Sequence, residues 1–350
     1  MPSRLSNNIM QWYKANARDL PWRKTEDPYK IWVSEIMLQQ TTVNAVIPFF
    51  ERWMSEYPTL RHVAQAPIRK ILKSWQGLGY YQRAKNLHKA AKIICKQFKG
   101  CLPNEASRLK DLPGFGSYTT GAVLSIAFDQ RHPIIDANVR RVFMRLLALP
   151  GLAVASQDKA IIGYLEKIMP NKGVKIFNQA LMELGALVCR SSEPLCIACP
   201  VREYCLAYAK GLQEVIPERK KKFIQDVKVV IAIIKKNDKF FIQKRPSSGL
   251  FADLWEFPGG KIEPKENARQ ALAREIREEL NVEVKYAKPL FELKQFYTQF
   301  RAHLNVWSCE VNPLPKEDSN HKWVKFPQLH HFPMPSGSAR IIDLLSVKKE

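Results

Sequence analysis

Two stretches decide how this chain folds: Leu112-Pro113-Gly114-Phe115-Gly116-Ser117-Tyr118, and after it Ile134-Ile135-Asp136-Ala137-Asn138-Val139-Arg140-Arg141. The first joins two segments whose apolar residues recur at helical spacing. Its glycines, Gly114 and Gly116, let the backbone turn its N–H groups outward at the start of a helix, whose positive end attracts anions. Such a turn can hold a nucleic-acid phosphate without reading a base. A Gly-rich interhelical turn with no ligand explains the local pattern equally well. In the second stretch Asp136 stands where a helix N-cap belongs, the simplest role for a lone Asp.

Outward from these stretches the chain reads as helix after helix. Residues 31–50, 67–75, 82–98, 118–128 and 138–149 carry apolar residues at helical spacing, punctuated by Pro and Gly. The pattern changes at Pro217-Glu218-Arg219-Lys220-Lys221-Lys222, a Pro-plus-charge stretch that reads as a linker. Beyond it, residues 227–234 and 239–243 read as strands around the turn 236–238, followed by a helix over 267–280. The expected architecture is a mainly α domain over residues 1–212, a linker over 213–226 and an α+β domain over 227–350.

The 350 residues include 55 Lys plus Arg against 33 Asp plus Glu, a formal net charge of +22. Residues 1–223 hold +17 of this and residues 224–350 hold +5, so the field belongs mainly to the helical part. That balance favours a polyanionic partner, nucleic acid first. With 46% hydrophobic residues the chain has ample core. The longest apolar run, Val229 to Ile234, is too short to span a bilayer, and no secretion signal is visible. The expectation is a cytoplasmic, nucleoid-associated protein with no membrane partner.

Four of the seven cysteines are crowded together: Cys189, Cys196, Cys199 and Cys205. In a chain without a secretion signal, crowded thiols point to metal ligation before disulfides. Four thiolates suit zinc or an iron–sulfur cube. The spacing of six, two and five residues departs from the paired knuckles usual for zinc and favours a [4Fe-4S] cluster.

Glu35 lies among Ile31, Trp32, Val33, Ile36 and Leu38. A carboxyl on an apolar helix face has a raised pKa and can arrive protonated, as a general acid must. Asp136, at a helix N-terminus, is expected to stay ionised. Two carboxyls in different protonation states are what cleavage of a glycosidic bond requires.

Taken together with Leu20-Pro21-Trp22-Arg23, Leu38-Gln39-Gln40-Thr41, Gly77-Leu78-Gly79-Tyr80-Tyr81 and Phe177-Asn178-Gln179-Ala180, these residues resemble the adenine DNA glycosylases of the helix-hairpin-helix base-excision superfamily. The resemblance covers about residues 8 to 210. It implies removal of adenine mispaired with 8-oxoguanine or guanine from double-stranded DNA, with the base flipped out of the helix. Carried over by position, it implies that Glu35 protonates adenine N7 and that Asp136 stabilises the oxocarbenium ion, supported by Asn138 and Tyr118. Arg23 and Gln179 would line the adenine pocket. Gln40 and Tyr80, with Leu38, would enter the duplex, and Gly114 and Gly116 would grip its backbone. Relatives that also cut the backbone carry a Lys where Tyr118 stands. A phenol cannot form a Schiff base, so a monofunctional enzyme is expected.

In the second domain Gly260-x5-Glu266-x7-Arg274-Glu275-Ile276-x-Glu278-Glu279 resembles the Nudix signature, with Asn281 in place of its Gly. At i, i+3 and i+4, Glu275, Glu278 and Glu279 share a helix face and could hold Mg²⁺ on a diphosphate. A solvated charged helix balanced by Arg274 and Arg277 is the plainer alternative. The resemblance implies that this Nudix-like domain recognises 8-oxoguanine through Tyr297, Thr298 and Gln299. A domain that also hydrolyses oxidised nucleoside triphosphates such as 8-oxo-dGTP stays open, as does a non-catalytic DNA-binding protein with vestigial sites. A monomer is expected.

Overall fold

The computed structural model describes residues 4–218, 224–297 and 300–347. They form two compact units, Met1–Gln65 with Asn86–Lys221, and Ala66–Lys85 with Lys222–Glu350. The sequence suggests one boundary, in the linker over 213–226, of which residues 219–223 lie outside the described residues. The compact units divide the chain at two further points, on either side of residues 66–85.

The first unit is helical, and six helices frame its site: α1 (Arg4–Asn16), α2 (Pro28–Leu38), α3 (Ala106–Lys110), α4 (Ser117–Phe128), α5 (Ala137–Leu146) and α6 (Val174–Leu187). α4 reads Ser-Tyr-Thr-Thr-Gly-Ala-Val-Leu-Ser-Ile-Ala-Phe and is buried on nearly every side, so it forms the centre of the unit. It stops at Asp129, which takes a left-handed conformation. The Asp129 carboxylate then accepts from Gly173 N and Lys175 N at 3.0 and 2.9 Å, tying the end of α4 to the start of α6. α5 places Val139, Val142, Phe143 and Leu146 on one buried stripe against Phe177, Leu181 and Leu184 of α6 and Leu5 and Ile9 of α1. Trp32 of α2 stacks on Phe115 of the turn between α3 and α4, ring centroids 5.2 Å apart.

The sequence predicts one helix over 31–50, but the structure breaks it. α2 ends at Leu38 and a second helix runs Val43–Glu56, with Gln40 between them in the left-handed region at φ 58°. Apolar spacing continues across the break, so periodicity alone does not reveal it. The local signal is Thr41-Thr42-Val43, three β-branched residues poorly suited to a helix interior. Among the described residues no helix is long and apolar enough to cross a membrane.

The second unit is built on a six-stranded sheet of β1 (Gln225–Lys236), β2 (Lys239–Lys244), β3 (Trp255–Glu256), β4 (Glu283–Phe296), β5 (Phe300–Asn312) and β6 (His321–Lys325). The order is β3-β2-β1-β5-β4, with β6 also on β2. β1 runs parallel to β5 and antiparallel to β2. Alternate residues of β1 feed opposite faces, which explains its uninterrupted apolar run. Val230, Ala232 and Ile234 pack with Ala271, Leu272 and Ile276 of α7 (Ala268–Leu280). Ile231 and Ile233 pack with Ile341 and Ile342 of α8 (Ser336–Val347). α7 opens on a capping box between Asn267 and Gln270. It closes on Asn281 at φ 52°, the left-handed cap for which Asn is the next best residue after Gly.

Candidate active site

Glu35 sits one turn before the end of α2 and is buried, 5% exposed. The Tyr118 hydroxyl, in the first turn of α4, donates to Glu35 Oε2 at 2.7 Å. Burial pushes the Glu35 carboxyl up to about 7, the nearby Asp136 charge adds to this, and Tyr118 and Arg23 oppose it. Asp136 is the N-cap of α5 and accepts from Val139 N at 2.7 Å and from Asn138 Nδ2 at 2.9 Å. The cap role and the chemical role are therefore compatible in one residue. Burial moves Asp136 upward too, while these two donors and Arg141 hold it down. The cap donors and Arg141 favour the ionised form expected of Asp136, while burial of the half-buried carboxyl opposes it.

Tyr118 differs from expectation in its partner. It supports Glu35, with Met182 Sδ at 3.9 Å, while Asn138 alone of the pair bonds Asp136. Desolvation raises the Tyr118 phenol well above its ordinary value, followed by the charge of Glu35, so it remains a neutral donor.

Arg23 and Gln179 are joined through residues that sequence pattern does not single out. Arg23 Nη2 donates to Glu183 Oε2 at 2.8 Å and its guanidinium lies 5.4 Å from the centroid of the Tyr13 ring. The Tyr13 hydroxyl donates to Gln179 Oε1 at 3.0 Å. Desolvation would raise Glu183, but its bonds to Arg18 and Arg23 overcome this and hold it at about 2. Glu183 lies four residues after Gln179 on α6. A carboxylate on an otherwise apolar helix face is the one local signal for it.

Asn138 is seated by Gly185 of α6, where an added Cβ would lie 2.7 Å from the Asn138 Cβ. Arg141, one turn along α5, donates to Asn138 Oδ1 at 2.9 Å, to Gly185 O at 2.8 Å and to Cys189 O at 2.8 Å. The carboxylate pair is thereby connected to the cysteine segment.

Cys189, Cys196, Cys199 and Cys205 are free thiols lining one cavity. Arg145 Nη1 lies 3.3 Å from Cys189 Sγ. Burial, with the neighbouring thiols, pushes Cys199 up to about 11. Four soft donors around one cavity fit a thiolate-ligated group. Among the described residues no three His, Cys, Asp or Glu side chains are set to hold a metal ion directly.

In the turn before α4 only Gly114 uses its freedom, at φ 86°. Gly116 is extended, at φ −81° and ψ −177°, and an added Cβ would meet nothing, so this position does not require glycine. Leu38 is half-buried and Gln40 exposed. Tyr80 is half-buried at φ 49° and belongs to the second unit.

The three carboxylates of α7 divide between two sets of partners. Glu279 Oε2 accepts from Gly259 N at 2.9 Å and Gln243 Nε2 at 2.8 Å. Glu279 is exposed as a residue, but desolvation of its carboxyl beside these donors raises it to about 7, with Glu256 and Glu275 adding to the shift. Glu275 and the largely exposed Glu278 are both claimed by Arg274 Nη1, at 2.9 and 3.1 Å. The arrangement therefore does not fit one Mg²⁺ held by all three, because Arg274 already supplies the balancing charge. Tyr297 stacks on Phe300, 4.8 Å between centroids, and packs on Phe251 at 5.1 Å. Thr298 and Gln299 lie outside the described residues.

Residues 33–171 match the family of HhH-GPD superfamily base excision DNA repair proteins, and residues 229–344 match the NUDIX domain. The chain is 34% identical to the adenine DNA glycosylase of Buchnera aphidicola subsp. Schizaphis graminum (strain Sg) over 348 residues, covering 97% of this chain and 98% of that protein. It is 34% identical to the adenine DNA glycosylase of Homo sapiens, covering 77% of this chain and 60% of that protein. A thermostable thymine-DNA glycosylase of known structure is similar with a TM-score of 0.53 and 30% identity, covering 59% of this chain and 95% of its own.

Proposed function

The chain belongs to the adenine DNA glycosylases, and on that footing we propose that it hydrolyses the N-glycosidic bond of adenine mispaired with 8-oxoguanine or guanine in duplex DNA. The observation that carries the reading is the pairing of a buried Glu35, raised to about 7, with a capped Asp136 held by Asn138 and Val139 N. The adenine must leave the stack to reach a buried acid. Glu35 then gives its proton to adenine N7 as the C1′–N9 bond breaks and its electron pair leaves with the base. Asp136 faces the resulting oxocarbenium ion. Water adds its oxygen to C1′ and releases one proton. Arg23, braced by Glu183, and Gln179, braced by Tyr13, line the base pocket. With Tyr118 in place of an amine, no Schiff base forms, and the enzyme is monofunctional.

The four thiols would hold a [4Fe-4S] cluster, which would cross-link the end of the helical unit. Iron and sulfide analysis with a visible spectrum tests this; a colourless protein holding one zinc overturns it. The basic helical unit would grip the DNA backbone, with Gly114 in the turn before α4 donating to a phosphate. The second unit would read 8-oxoguanine beside Tyr297.

Timed adenine release from A:8-oxoguanine and A:G duplexes, scored by alkaline cleavage, tests the whole reading. No release from either sinks it, and a stoichiometric borohydride-trapped complex sinks the monofunctional part. A second reading adds hydrolysis of 8-oxo-dGTP, favoured by the raised carboxyl of Glu279 beside Glu256 and Glu275. The hold of Arg274 on Glu275 and Glu278 weighs against it. Pyrophosphate release by the full chain with Mg²⁺ decides between the two.

A further inference from the structure

Residues 66–85 carry Tyr80, the side chain read above as entering the duplex, and they form part of the second unit. The helix Ile68–Ser74 leads into Gly77-Leu78-Gly79-Tyr80-Tyr81, where Gly77, Gly79 and Tyr80 all take positive φ. Arg83 Nη2 donates to Leu78 O at 3.1 Å and Gly79 O at 3.0 Å, and its guanidinium lies 5.5 Å from the Tyr80 centroid. Arg83 thereby braces the backbone of the loop that carries Tyr80 and lies against its ring.

Both ends of this arm are fastened within its unit. On one side Met334 N donates to Gln76 Oε1 at 3.1 Å, and the Tyr81 hydroxyl donates to Met334 O at 3.3 Å. On the other, Lys85 Nζ lies 2.6 Å from Asp253 Oδ2, with Lys244 on the second oxygen at 3.2 Å. Met334 and Asp253 are each two residues from a neighbour of Tyr297. Phe251 packs on the Tyr297 ring, and Ser336 and Gly337 bond its hydroxyl. The two segments that surround Tyr297 are therefore the two that hold the Tyr80 loop.

We propose that the lesion-reading unit itself positions the DNA wedge. Gln76 and Lys85 are positioning residues through which the fit of the base near Tyr297 sets the presentation of Tyr80. This rests on the lesion-directed reading above. Discrimination between 8-oxoguanine and guanine then depends on the two fastenings and not on Tyr297 alone.

The test compares single-turnover adenine release from A:8-oxoguanine and A:G duplexes by the full chain. Gln76→Ala and Lys85→Met should each lower the ratio of the two rates by roughly 5- to 30-fold, with the A:G rate within about twofold of the parent. Lys85→Arg should restore most of the ratio. Added to Tyr80→Ala, neither change should lower it further, since both act through that side chain. Equal losses on both duplexes, or an unchanged ratio where Tyr80→Ala reduces it, overturn the proposal alone. A parent protein with no preference overturns the lesion-directed reading and this proposal with it. Should Lys85→Met fail to fold, Gln76→Ala on the half-buried turn is read by the same ratio and decides alone.

Discussion

The Tyr118 hydroxyl donates to Glu35 Oε2 across 2.7 Å, so the phenol tunes the carboxyl proposed above as the general acid. It stabilises the carboxylate form and keeps the Glu35 pKa from climbing beyond about 7.

Glu35→Gln should reduce adenine release by about 10²- to 10⁴-fold, the usual share of a general acid, without weakening duplex binding. It should also stabilise the protein. The folded pKa of about 7 lies above the ordinary 4.5, so the unfolded chain ionises first as pH rises. The parent loses stability between those values, up to about 3 kcal/mol at pH 8. Thermal melts should show the variant ahead at pH 8 and equal to the parent below pH 4.5; a variant melting lower at pH 8 contradicts this.

The pH–rate profile should fall above about 7, as Glu35 gives up its proton. Tyr118→Phe removes a donor that lowers this pKa, so the alkaline limb should move to higher pH even where the maximum rate drops. A limb that stays in place would detach it from Glu35.

Gly185→Ala drives a Cβ to 2.7 Å from Asn138, the residue that bonds Asp136. Overpacking of this kind costs about 1–3 kcal/mol. The variant should lose activity well beyond its loss of stability, measured as single-turnover rate against denaturant midpoint. Parallel losses would leave Asn138 a packing residue only.

The two glycines of the turn before α4 should separate. Gly114→Ala meets both a φ of 86° and an Asn86 side chain 3.0 Å away, and should cost about 1–2 kcal/mol with weakened duplex binding. Gly116→Ala should leave stability within about 0.5 kcal/mol. Equal penalties would contradict the geometry.

The sequence makes legible whatever depends on local pattern: the apolar run of β1, the Asn281 cap, the helix N-cap at Asp136 and the cysteine spacing. Glu35 is legible because a carboxylate among Ile31, Trp32 and Ile36 has no polar face to occupy. What escapes is long-range pairing. The Glu183 clamp on Arg18 and Arg23 spans about 160 residues, and the turn of Tyr118 toward Glu35 spans 83. The break at Gln40 escapes for the opposite reason, since apolar spacing happens to continue through it. For the α7 carboxylates, helical phase correctly puts three on one side. The plainer reading of a helix balanced by Arg274 matches its contacts to Glu275 and Glu278, while the turn of Glu279 toward Gly259 and Gln243 is the part that local pattern does not show.

The fastening of Gln76 to Met334 carries a consequence for how the chain is made. The two residues are 258 positions apart. At about 5–20 residues per second a ribosome finishes the arm roughly 10–50 seconds before its partner exists. By then most of the helical unit has been synthesised on both sides of the arm. The second unit can close only after nearly the whole chain has emerged, so its assembly is the late event of biosynthesis. A chain truncated at the linker leaves the ribosome with Tyr80 and its Arg83 brace in place but without the fastenings to Met334 and Asp253.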